Sequence, residues 1–141
     1  MILCCVYRSP STKPNNFLNL LEKTLNLLYQ QTALLIICGD LNINSLIENS
    51  EKQNLEIIMT TFNLTQVVTF PTRICNNEGT LIDNIFLDKA KLNNITVNAL
   101  DNGLSDHIAQ ISQQYCFLLF RITMVWLERF REENNLVYIF C

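Results

Sequence analysis

The chain has 141 residues, 49% hydrophobic and 16% charged, with a net charge of −3 at pH 7. That length fits one ordinary domain with a real core, and the balance excludes a disordered segment. Ten basic against thirteen acidic residues give no strong basic field, so any nucleic-acid contact has to come from a local patch.

In chain order, residues 2–7 (ILCCVY) are apolar and β-prone, with no basic stretch before them of the kind a signal peptide carries. "RSPSTKPNN" follows as a loop with two prolines. Residues 16–30 set Phe17, Leu20, Leu21, Leu25 and Leu28 on one stripe, which predicts a helix. Residues 33–38 form a short, continuously apolar strand of the kind buried on both faces. Ser50 to Gln53 reads as a capping box, and Leu55, Ile58, Met59 and Phe62 follow at helical spacing, so a second helix is expected over 51–62. "LTQVVTF" reads as a strand and "PTRICNNEG" as a loop. "TLIDNIFL" and "NITVNAL" are further strands, "NGLSDH" a turn, and "IAQISQQY" a half-exposed strand. This order predicts an α/β layer architecture. Leu34–Cys38, Leu81–Phe86 and Ile108–Ser112 should be neighbouring core strands, covered by the two helices.

Residues 115–141 differ in style. They hold the only Trp and a dense apolar run, and suggest a helix ending near "REENN" followed by a strand. The run is interrupted by Arg121 and falls short of the roughly 20 apolar residues that a membrane-spanning helix needs. Cysteines stand at 4, 5, 38, 75, 116 and 141, none in a C-x-x-C pair, and His107 is the single histidine, which argues against structural zinc. Cys4, Cys5 and Cys38 read as small buried hydrophobes, and the scatter points to a reducing, intracellular compartment, nuclear or cytoplasmic.

Four polar features stand at loops and strand ends: Tyr7-Arg8-Ser9-Pro10, Gly39-Asp40-Leu41-Asn42, Leu81-Ile82-Asp83-Asn84-Ile85-Phe86 and Leu104-Ser105-Asp106-His107. Gly39, Asp40 and Asn42 are turn formers, and a lone histidine is more often structural than catalytic. Asp83 is harder to dismiss, because a carboxylate inside an apolar strand needs a partner.

The ordered set Y-R-S-P, I-I-C-G-D-L-N, P-T-R, L-I-D-N-I-F and L-S-D-H resembles the carboxy-terminal half of an endonuclease/exonuclease/phosphatase domain. The closest flavour is the apurinic-type endonuclease domain of LINE-like, non-LTR retrotransposons, in which a reverse transcriptase normally follows. The resemblance implies a truncated half of a DNase I-like layered α/β sandwich over residues 1–114, with 115–141 an atypical apolar tail. It also implies site roles. Asp40 would be the general base, Asn42 would bond the phosphate or the water, and His107 would stabilise the phosphate with Asp83 holding its ring. Tyr7 would add a hydroxyl to the phosphate. Asp106, with Asp40 and Asn42, would help hold Mg²⁺ (or Mn²⁺). Thr72, Arg73 and Arg8 would contact DNA.

The family's amino-terminal half, with an Asn and a Glu that is a principal metal ligand, has no counterpart here, so the chain is expected to be weakly active or inactive alone. DNA is the expected substrate, and no membrane partner is expected. Two other readings stand beside the phosphodiesterase: a non-catalytic remnant or binding fragment, and a phosphatase of the same superfamily acting on a small phosphoester.

Overall fold

The computed structural model describes residues 1–29, 33–88, 90, 95–100, 103, 105–114, 126–132 and 135–140. The chain runs β1 (Ile2–Tyr7), α1 (Pro14–Leu28), β2 (Leu35–Asp40), α2 (Ser50–Thr61), β3 (Thr65–Gln66), β4 (Arg73–Cys75), β5 (Glu78–Thr80), β6 (Asp83–Leu87), β7 (Ile95–Leu100), β8 (Ala109–Gln114), β9 (Trp126–Glu132) and β10 (Asn135–Phe140). Six strands form one sheet in the order β3-β6-β2-β1-β10-β9, while β4-β5 and β7-β8 are separate two-stranded sheets. β1 and β2 run parallel with α1 as their crossover, and β6 pairs antiparallel with β2. The α/β class expected from the sequence is the one found.

Strand alternation sends Cys4 and Val6 of β1, Leu35 and Ile37 of β2, and Phe86 of β6 to the same face. Both helices cover that face, with Phe17, Leu18, Leu21 and Leu25 of α1 and Leu55 and Met59 of α2 in one core cluster. Helix α1 starts two residues earlier than the apolar stripe suggested, because Pro14 fits the first turn, where its missing N–H is no loss. At α2 the cap is Asn49 and not Ser50; its Oδ1 accepts from Lys52 N at 2.9 Å. Among the described residues no helix is long and apolar enough to cross a membrane.

Several expectations are corrected. "PTRICNNEG" is a hairpin and not a loop, since Asn76 and Asn77 both take positive φ (50° and 66°) and so close a two-residue turn between β4 and β5. "LTQVVTF" supplies only the two-residue β3. Strand β8 is not a neighbour of β2 and β6 in the main sheet; it pairs with β7. In the tail, β9 occupies the stretch expected to be the end of a helix, and β10 pairs antiparallel with β1 from Leu3↔Phe140 to Tyr7↔Leu136. The second edge of β1 is therefore taken by the chain's own tail, which satisfies its backbone groups.

Candidate active site

Strands β2 and β6 bring two carboxylates together. In their ladder Asp40 stands directly opposite Asp83, and in the parallel ladder Tyr7 stands beside Asp40. All three lie on the sheet face away from the helices. Like charges directly opposite one another destabilise a strand pair, so this placement calls for a hydrogen-bonding partner. The partner at hand is His107, whose Nδ1 lies 2.9 Å from Asp83 Oδ2. Ligand atoms of Asp40, Asp83 and His107 all lie within 4.8 Å of one another. Burial pushes the Asp40 carboxyl above the ordinary carboxylate range, against the pull of the Asn42 N–H, and the Asp83 charge adds to the rise.

Gly39 makes the strand end possible. Its φ is +138°, and a Cβ there would sit 1.9 Å from the Val6 carbonyl oxygen. β1 thus passes too close for any side chain at this position. Past Asp40 the chain turns: Asn42 takes φ 49°, its N–H donates to Asp40 Oδ1 at 2.9 Å, and its side-chain amide donates to Arg8 O at 2.7 Å. The turn-former reading of these residues holds, and the Asx turn fixes the Asp40 carboxylate in place.

Arg8 is turned inward, only 4% exposed. Its Nε donates to Leu41 O at 2.6 Å and Nη1 to Thr12 O at 2.9 Å, and Nη2 bonds Asn42 O. A guanidinium so occupied is not free for DNA. Thr72 is likewise buried at 0% exposure, and its Oγ1 accepts from Ile82 N (3.1 Å) and Asp83 N (2.9 Å). Both residues were expected at a DNA surface; both instead fix the strand ends that carry the acids. Asn42, expected to reach the phosphate or a metal, has its amide on Arg8.

His107 reaches the cluster from outside the main sheet. It bridges to Arg73 across the hairpin, with Ile108 N donating to Thr72 O (2.7 Å) and Ile74 N to Asp106 O (2.9 Å). Ser105 Oγ accepts from His107 N at 3.1 Å, and Gln110 Nε2 donates to Asp83 O at 3.2 Å. Asp106 does not join the Asp40 cluster. Its carboxylate meets Arg73 Nε at 2.6 Å, and that ion pair holds the Asp106 carboxyl below its ordinary range. Arg73 and Tyr7 (38% exposed) stand on the exposed rim.

Sequence reasoning missed Gln110 and a network behind the acids. Leu41 N donates to Ile82 O and Ser45 N to Leu81 O, both at 2.9 Å, and Asn44 Oδ1 accepts from Leu81 N at 3.1 Å. Nothing in the pattern of these short polar residues separates a tether from an ordinary loop.

A family model described as endonuclease-reverse transcriptase matches residues 1–111. Among solved structures, the fold is similar to the endonuclease domain of TRAS1, a telomere-specific non-LTR retrotransposon. The TM-score is 0.65 at 17% identity, over 79% of this chain and 56% of that one. The chain thus spans a little over half the length of that solved domain. No curated protein matches. Because the family match runs from β1 through the first half of β8, the chain belongs to the endonuclease-reverse transcriptase family.

Proposed function

We propose that this chain is part of a metal-dependent phosphodiesterase that nicks DNA for a retrotransposon, with Asp40, Asp83 and His107 as the reacting cluster. The observation that carries the reading is the 2.9 Å contact of His107 Nδ1 with Asp83, directly across the ladder from Asp40. A hydrolytic site needs a group to take a proton from water and another to meet charge on the phosphate. Asp40 accepts the proton, and its raised affinity for one suits the task. His107 bonds Asp83 through Nδ1 and offers its other ring nitrogen, Nε2, to a phosphate oxygen. The water oxygen joins phosphorus as the bond to the leaving sugar oxygen breaks, that oxygen takes a proton from solvent water, and Asp40 returns its proton to solvent. Tyr7, on the rim, offers its hydroxyl to the phosphate, and Arg73 its charge to the DNA backbone.

The donor set fits a hard cation, since two carboxylates face each other with one histidine near them. Asp40 and Asp83, more than Asp106, would hold Mg²⁺ or Mn²⁺. Such an ion supplies charge neutralisation at the phosphate. A reverse transcriptase acting on the nicked end is the natural partner.

Incubating the purified chain with supercoiled plasmid and millimolar-range Mg²⁺ tests the reading. Slow nicking is expected, as the chain spans 56% of the solved domain. Asp40→Asn and His107→Ala should each lower it by about 10²-fold or more. A folded chain that does not nick, or variants that nick as fast as the parent, would overturn the proposal. DNA retention without nicking would favour a binding fragment instead.

A further inference from the structure

Cys5 and Cys38 were expected to be small buried hydrophobes, and the structure leaves both partly exposed. They are Cα partners in the parallel β1-β2 ladder, so their side chains leave the same face side by side. Their Sγ atoms lie 3.6 Å apart. Both are half-buried, on the face away from the helices, whereas Cys4 is buried at 0% exposure on the helix side.

We propose that Cys5 and Cys38 are a redox modification site that closes reversibly to a disulfide in the presence of a peroxide-class oxidant. Adjacent strands run about 4.8 Å apart, inside the Cα separation of about 4.4–6.8 Å that a disulfide spans. Little backbone movement is therefore required.

The hydrogen bond between the two sulfurs favours a thiolate on the one that accepts it, here taken as Cys5. Burial raises the Cys4 thiol to about 12, which keeps it a poor competitor. The Cys5 sulfur attacks one oxygen of hydrogen peroxide, the O–O bond breaks, and the departing hydroxide takes a proton to become water. The sulfenic acid so formed on Cys5 is then displaced by the Cys38 sulfur. Its hydroxyl leaves as a second water with the Cys38 proton. Two electrons pass from the sulfurs to the peroxide, and an added dithiol reverses the step.

The site is distinct from the acids but close to them in the ladder. Tyr7 and Asp40 follow Cys5 and Cys38 by two residues on the same strands and the same face. The inference rests on the two sulfurs and their surroundings and stands whether or not the chain is a phosphodiesterase.

Treating the native full chain with hydrogen peroxide, alkylating the remaining thiols and mapping peptides by mass spectrometry tests it. A peptide pair joining residues 1–8 to residues 24–52 should appear, with Cys5 and Cys38 losing their alkylation in equal amounts, and dithiothreitol should restore both. The link should persist in Cys4→Ser and vanish in Cys38→Ser. The inference is overturned if native chain keeps both thiols alkylatable, if Cys5 oxidises alone, or if the link passes through Cys4.

Discussion

Thr72 carries out its work at one atom. Its buried hydroxyl oxygen accepts from two successive backbone N–H groups, one of them that of Asp83. Thr72→Val keeps the shape and leaves both donors unsatisfied, at about 1–3 kcal/mol for each. Thr72→Ser should retain the stability that Thr72→Val loses, which denaturant midpoints will show. Arg8 plays the matching part on the other strand, and burial weakens its hold on its own proton. Arg8→Ala should release the Asn42 turn, and with it the N–H that favours the ionised form of Asp40. A base that binds its proton more tightly works only at higher pH. At the same Mg²⁺, the acid limb of nicking should therefore lie at higher pH for Arg8→Ala than for the parent chain; an unmoved limb would detach Arg8 from the site.

At this scale the sequence was legible where chemistry needs one residue type. Asp40, Asp83 and His107 come together as the motifs implied. It was misleading for Arg8 and Thr72, because the same guanidinium or hydroxyl serves a phosphate or a buried carbonyl or amide equally well, and only burial tells which.

Among the elements, β1 and β2 were legible from their apolar runs, and α1 and α2 from helical periodicity. The β4-β5 hairpin was not, since an Asn-Asn turn lacks the glycine that usually marks a tight hairpin. In the tail β9 was missed, and β10 was expected as a strand but without its partner, since it gains its place from the open edge of β1. Removing residues 135–141 should bare that edge. The shortened chain should self-associate, giving a mass in light scattering that rises with concentration, while the full chain stays at a constant mass. If both behave alike, β10 does not guard the edge.

Taken whole, the molecule assembles its site from two independent supports. The main sheet carries Asp40 and Asp83 on adjacent strands, and the hairpin with the turn before β8 delivers His107. The α/β class could be read from the alternation of strands and helices. That second support could not, because the bridge from Arg73 to His107 joins segments far apart in the chain whose local patterns carry no trace of each other. An arrangement of this kind makes the residues act as a unit, so their losses should not multiply. The most direct test compares plasmid nicking by the parent chain, Asp83→Asn, His107→Ala and the double variant under the same Mg²⁺. Each single change should lower the rate by about 10²-fold or more, and the double variant should be no slower than the worse single one. Losses that multiply in the double variant, or parent-like nicking by Asp83→Asn, would contradict the account.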